Sequence, residues 1–235
     1  MRRDCTFFKS SIKGECLLDA YDAAEKNCTY EEYLCTLLEQ EVLTRDENSR
    51  RLRIKQAGFP VLKTLEGFDF NAIPSLNKQK VLALSRCEYI RAKENVIAIG
   101  SVGTGKSHIC SALALCACQM GCRVRFYTAP GLVTELLQAQ REHRLNKFEK
   151  RWLNYDLVLI DELGYVPYTK EGAELLFRFV ASRYERGSVM ITTNLEFANW
   201  TQVFGDEMLT TALLDRLTHR CHILVMNGES YIIPL

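Results

Sequence analysis

Residues 95–119 read NVIAIGSVGTGKSHICSALALCACQ, and the fold turns on how that stretch is parsed. Val96 to Gly100 is an unbroken apolar run closed by glycine, which suits a strand buried on both faces, while the apolar residues from Ser107 onward recur at helical spacing. Between them, Gly100 to Ser107 gives glycine, four residues, then Gly-Lys-Ser at a strand-to-helix joint. Gly100, Gly103 and Gly105 permit backbone angles that a side chain would forbid, so successive amides can turn inward on a phosphate. The following helix adds its positive amino end. Lys106 then brings a mobile charge for the β and γ phosphates, and the Ser107 hydroxyl offers a ligand for Mg²⁺. The residues expected to hold a nucleotide are therefore Gly100, Ser101, Val102, Gly103, Thr104, Gly105, Lys106 and Ser107. The competing reading, a chance glycine turn, does not account for the strand before the loop and the helix after it.

Outward from this joint, strands and helices alternate. Strands are expected at 96–100, 124–128, 157–161, 188–194 and 222–226, with helices at 107–120, 131–143, 170–186 and 206–219, so the class is α/β with a mostly parallel central sheet covered on both faces. LVLIDELGY (157–165) sets Asp161 at the carboxyl end of an apolar strand, where open parallel sheets place their ligands, with Glu162 next. Asp161 suits Mg²⁺ and Glu162 suits polarising a water; the plain alternative is an acidic pair capping the next helix. Asn194 ends MITTN at the same edge, where an amide can orient a water, or serve only as a turn residue. Arg216, in ALLDRLTHR, is by itself a surface partner for Asp215, although an arginine can also neutralise charge on a γ phosphate.

The chain has 235 residues, a net charge of +1 and 10 cysteines. Global charge therefore identifies no partner, and a nucleic-acid surface has to come from local clustering. The cysteines form no paired CxxC and lie mostly in apolar helical patterns, so they are expected as small buried hydrophobes in a reducing compartment. No stretch has the character of a signal peptide or a membrane span, and a cytoplasmic location is expected.

Three segments follow from composition: a helical region over 1–58, a linker rich in proline, glycine and aromatics over 59–75, and the strand-helix domain over 76–235. In the first, ECLLDAYDAAEKN (15–27) is an expected helix, and two capping boxes, Thr29 to Glu32 and Thr44 to Glu47, are each expected to start another. Residues 77–94 are expected as one helix, and the Asn-Gly pair at 227–228 as the turn of a closing hairpin. Arg45, Arg50, Arg51, Arg53 and Lys55 form one basic cluster; Arg141, His143 and Arg144, continuing to Lys147, Lys150 and Arg151, form another. Both suit phosphate contacts, and both equally suit solvated faces with ion pairs, since Asp46, Glu47, Glu142 and Glu149 are interspersed. Phe68 and Phe70 are expected to pack the linker onto the core, the alternative being a stack near the adenine, and His108 to be a polar helix residue.

GSVGTGKSH, LVLIDELGY, GAELLFRFVASRYERGSVMITTN, VFGDEMLTTALLDRLTHRCHIL and NGESYII together resemble the IstB-type ATP-binding proteins of insertion sequences, AAA+ helpers of a transposase related to DnaC-type helicase loaders. The similarity extends to TLEGFDF and the basic helix before it. The resemblance implies an AAA+ P-loop NTPase without the small C-terminal helical lid, with a small N-terminal helical domain at 1–58 that binds DNA or a partner. It places the Asn194 strand between the phosphate-loop strand and the Asp161 strand, with Asn194 as sensor 1. It makes Arg216 an arginine finger acting in trans within a homo-oligomer. It also implies DNA-stimulated hydrolysis of ATP with Mg²⁺, assembly on duplex DNA and recruitment or stimulation of a transposase. Two departures, Ser101-Val102-Gly103 where Pro-Pro-Gly is common and Ser107 in place of threonine, remove no required amide or hydroxyl. A DnaC-type loader acting on a replicative helicase and single-stranded DNA, a small-molecule kinase, and an ATP-gated scaffold with negligible turnover are the alternatives.

Overall fold

The computed structural model describes residues 29–228; the expected helix over 15–27 and the far arm of the closing hairpin lie outside them. The chain divides into two compact units, Met1–Leu52 and Arg53–Leu235. Among the described residues, no helix is long and apolar enough to cross a membrane.

Helix α1 spans Tyr30–Ala57. Its start is the first capping box: the Thr29 hydroxyl accepts the Glu32 amide at 3.3 Å, and the Glu32 carboxylate accepts the Thr29 amide at 2.9 Å. The second box starts nothing. Thr44 lies inside α1, because no glycine or proline interrupts the segment and carboxylates at Glu41, Asp46 and Glu47 pair with the arginines one turn on. The helix stops at Gly58, whose φ of 75° a residue with a side chain rarely adopts.

The expected helix over 77–94 is two pieces, α2 (Lys78–Leu84) and α3 (Glu88–Arg91). Cys87, at φ 59°, breaks it and turns Tyr89 and Ile90 into the core. The remaining elements are β1 (Asn95–Ile99), α4 (Lys106–Gln119), β2 (Val124–Thr128), α5 (Ala129–Arg141), α6 (Leu145–Trp152), β3 (Leu157–Leu163), α7 (Lys170–Arg183), β4 (Ser188–Thr193), α8 (Thr201–Phe204), α9 (Glu207–Thr218) and β5 (Cys221–Val225). Sequence reading overlooked α6, where the apolar face is only Leu145, Phe148 and Trp152 amid charges. Trp152 nevertheless anchors it, fully buried edge-on to Phe148 and Phe179 with its indole N–H on Ser182.

Among the described residues the sheet has five parallel strands in the order β2-β3-β4-β1-β5, so β4 stands between β1 and β3, the order the resemblance implies. The strand period of two divides its residues between two cores. Val96, Ala98, Leu157, Leu159 and Met190 face α4 together with Phe68, Ile73 and Tyr89. Ile97, Val158, Ile160, Val189 and Ile191 face α5, α7 and α9 through Leu132, Leu136, Phe179, Leu213 and Leu217. Cys110 and Cys118 are buried in α4 as free thiols, and burial pushes Cys118 up to about 12, so it packs as a small hydrophobe.

Buried Arg183 at the end of α7 ties down the amino edge of the sheet. Its guanidinium donates to the carbonyls of Trp152 (2.6 Å), Tyr155 (3.0 Å) and Ser188 (3.0 Å), joining the end of α6, the approach to β3 and the start of β4. Burial pulls this guanidinium down to about 10, which leaves it charged at neutral pH. Replacing it by methionine leaves those buried carbonyls without a donor, at about 3 kcal/mol in total. Urea unfolding of Arg183→Met is expected to show that loss with an unchanged denaturant slope.

Candidate active site

The loop from Gly100 to Ser107 leaves the carboxyl end of β1 and enters α4. Two glycines are fixed by close approaches. A Cβ on Gly100, at φ 152°, would overlap the Met226 carbonyl just after β5; one on Gly105, at φ 79°, would come within 2.7 Å of the Phe68 ring. Phe68 therefore wedges the segment before α2 beneath the loop, edge-on to Phe70 and to His108, as the packing reading expects. His108 also meets the Thr64 carbonyl at 2.9 Å. Thr104 is buried and donates to the Ser101 carbonyl at 2.9 Å, while Ser101 and Val102 are exposed at the lip and Gly103 turns with φ 81°.

Lys106 curls back over the loop, donating to the carbonyls of Gly100 (2.9 Å) and Ser101 (2.5 Å). Burial holds its ammonium below the ordinary lysine range, with the Asp161 carboxylate pulling the other way. A partly desolvated cation over first-turn amides that have no helical acceptor is a seat for an anion.

Ser107 faces the next strand but one. Its hydroxyl donates to Asp161 Oδ1 at 2.7 Å, and the Thr192 hydroxyl donates to the same oxygen at 2.5 Å. Asp161 is buried, whereas Glu162 is exposed and has φ 61°. The ladder between β3 and β4 shifts between Ile160 and Leu163, so the two acidic residues occupy a bulge. Carboxylate and hydroxyl together are a hard oxygen donor pair of the kind Mg²⁺ takes.

Asn194 follows β4 on the same edge. Because Ile99 stands opposite Thr193, Asn194 emerges beside Gly100. Its Oδ1 is buried and has no hydrogen-bond partner among the described residues. The edge thus brings together Gly100 to Ser107, Asp161, Glu162 and Asn194. The residue that sequence reading passed over is Thr192, whose only signal was a polar side chain inside an otherwise apolar buried strand.

Arg216 is elsewhere. It lines a hollow with Lys93 and Asn95 at the amino end of β1, donates to the Ala212 carbonyl at 2.7 Å, and lies over the Phe177 ring at 4.9 Å, rather than pairing with Asp215. The strand between it and the loop, five residues long, spans roughly 16 Å.

The basic clusters are not uniform. Arg45, Arg50 and Arg51 pair with Glu41, Asp46 and Glu47 on the exposed surface of α1, and Lys55 is exposed without an ion pair among the described residues. Arg53 is half-buried and donates to the Cys118 carbonyl at 3.1 Å. Arg141 and His143 are exposed at the end of α5, and Arg144 pairs with Glu142. Arg144, Lys147, Lys150 and Arg151 line an open groove of about 630 Å³ between α5 and α6.

Among solved structures, the DnaC helicase loader superposes with a TM-score of 0.52 at 21% identity, covering 63% of this chain and 89% of that one. AMPPCP-bound DnaA from Aquifex aeolicus gives 0.55 at 20%, covering 72% and 50%. Both likenesses are of fold, the AAA+ P-loop domain. The ATP-binding protein of insertion sequence IS21 from Pseudomonas aeruginosa is 42% identical over 222 residues, 94% of this chain and 83% of that protein. That of IS5376 from Geobacillus stearothermophilus is 35% identical over 89% and 83%. The model of the IstB-like ATP binding protein family matches residues 18–233, and with a phosphate loop built as described above, the chain belongs to that family of insertion-sequence ATP-binding proteins.

Proposed function

We propose that this chain is a DNA-stimulated ATPase that assembles with ATP on duplex DNA and recruits or stimulates the transposase of its insertion sequence. The observation that carries the hydrolytic part is the edge itself: Ser107 and Asp161 already in contact, Glu162 lifted out by a bulge, and Asn194 with an unpartnered amide oxygen beside Gly100. The DNA and transposase part rests on membership of a family whose relatives are described as insertion-sequence proteins.

In this reading Lys106 exchanges the Gly100 and Ser101 carbonyls for phosphate oxygens, while loop amides from Ser101 to Lys106 hold the rest of the triphosphate. Mg²⁺, held by Ser107 and Asp161, would neutralise charge on the β and γ phosphates. Glu162 accepts a proton from the attacking water, and the Asn194 amide orients it. Arg216, at the far edge of its own sheet, serves a neighbouring subunit's nucleotide, so that a homo-oligomer completes each site. Residues 1–58 form the DNA- or partner-binding domain, 59–75 the linker and 76–235 the ATPase domain; Arg45, Arg50, Arg51, Lys55, Arg141, His143 and Arg144 contact phosphates.

Lys106→Ala is expected to weaken ATP binding roughly 10- to 100-fold. Glu162→Gln is expected to keep ATP binding and lower turnover by roughly 10² to 10⁴. Equilibrium binding beside phosphate release reads both, and a Glu162→Gln chain that turns over normally removes the assigned base.

Arg216→Ala is expected to lower turnover by roughly 10³ or more while leaving ATP affinity intact. An equal mixture of Lys106→Ala and Arg216→Ala chains should regain turnover on DNA, because one chain contributes the finger and the other the loop. No recovery, with ATP-dependent sedimentation on duplex DNA unchanged in Arg216→Ala, refutes the action in trans.

Neutralising Arg141 and Arg144 together is expected to reduce the salt dependence of duplex binding by about one unit of slope per lost contact, similarly for unrelated DNA sequences. A slope equal to that of the unaltered chain takes those residues off the DNA.

A further inference from the structure

Strand β4 places two threonines before Asn194, and the first has a bonding pattern that none of the roles above uses. Thr192 is 1% exposed. Its hydroxyl donates to Asp161 Oδ1 at 2.5 Å and accepts the backbone N–H of Glu162 at 2.9 Å. The ladder pairs Ile160 with Ile191 and resumes with Leu163 opposite Thr193, so Asp161 and Glu162 together face the single residue Thr192. A bulge of this kind strips an amide of its ladder acceptor, and the freed amide here is that of Glu162. The Thr192 side chain replaces the missing carbonyl.

We propose that Thr192 is a positioning residue for the hydrolytic reaction, clipping both acidic residues of the bulge with one hydroxyl. One bond fixes the rotation of the Asp161 carboxylate, leaving its second oxygen free of this contact. The other holds the Glu162 backbone at φ 61°, which aims that side chain out to the rim where Asp161 is buried. Packing alone does not call for the hydroxyl. Valine fills the same volume, is at home in a buried strand, and carries no polar atom to satisfy. The inference rests on the proposed roles of Asp161 and Glu162.

The test compares Thr192→Val and Thr192→Ser in the full chain. Thr192→Val is expected to lower kcat at least 10-fold while KM for ATP with Mg²⁺ rises about 5-fold, and Thr192→Ser to return kcat to within about 3-fold of the unaltered chain. Binding of a non-hydrolysable ATP analogue supplies a readout apart from turnover. Its affinity in EDTA should be unchanged in Thr192→Val, whereas the gain on adding Mg²⁺ should shrink at least 5-fold. Unaltered kcat and an unaltered Mg²⁺ gain in Thr192→Val overturn the proposal, as does an equal loss in Thr192→Ser. A fall in EDTA affinity to match the fall in kcat assigns Thr192 a purely structural role and overturns it as well. Should Thr192→Val not fold, Thr192→Ala is read against the same outcomes. If the unaltered chain binds ATP with Mg²⁺ but releases no phosphate, the proposed ATPase function fails, while the Mg²⁺ gain still decides whether Thr192 sets Asp161.

Discussion

A single buried oxygen, Oδ1 of Asp161, receives hydroxyls from Ser107 at the start of α4 and from Thr192 in β4. A carboxylate so little exposed is tolerable only when its lone pairs are bonded, and here the bonds come from two elements that sequence separates widely. The geometry follows from strand order. With β4 inserted between β1 and β3, the loop after β1 and the acid on β3 stand two strand spacings apart, roughly 10 Å. Helix α4, packed over β3 and β4, spans that gap and carries Ser107 across it.

The two edges of the sheet are held in different ways. At the amino edge, Arg183 gathers carbonyls from three segments, and the Asn95 side chain donates to Leu217 at 3.0 Å while accepting the Val189 amide at 2.9 Å. These bonds satisfy strand ends. At the carboxyl edge the backbone departs from regularity, with positive φ at Gly100, Gly103, Gly105 and Glu162 and an interrupted ladder, and the Asn194 side-chain oxygen has no partner among the described residues. Local irregularity costs stability and persists where surrounding structure over-determines it. The well-satisfied amino edge and the two apolar cores supply that determination.

Legibility in the sequence follows the same division. The strands of the sheet and its four long flanking helices, α4, α5, α7 and α9, were readable because buried parallel strands are uniformly apolar and amphipathic helices are periodic; their ends fell within two or three residues of those observed. The phosphate loop was readable because its glycines have a backbone reason to be there. Thr44 misled because a capping box is a local pattern, and the uninterrupted helix-forming run with its ion pairs outweighs it. Cys87 gave no warning of a break, since its left-handed backbone answers to the burial of Tyr89 and Ile90. Thr192 was hidden for the deepest reason: its role exists only after a bulge that is itself a product of two strands pairing.

The basic residues illustrate how structure refines a charge pattern that composition leaves ambiguous. Ion pairs such as Arg45 with Glu41 or Arg51 with Glu47 are exposed, and pairs of that kind contribute about 0 to 1 kcal/mol, so a phosphate can displace the carboxylate at little cost. Arg53 is different in kind. Its guanidinium is half-buried on the Cys118 carbonyl at the end of α4, and turning it outward would strip that carbonyl of its partner. It is thus the one member of the first cluster whose charge is committed to the fold, which makes a contact with DNA phosphate by Arg53 the hardest of the set to form. Arg141 and His143 have no such commitment, and in the groove beyond them Arg144 and Arg151 pair with Glu142 and Glu135 while Lys147 and Lys150 have no ion pair among the described residues. Of the two basic stretches, the one between α5 and α6 therefore retains more charge free to meet a polyanion than a count of arginines would suggest.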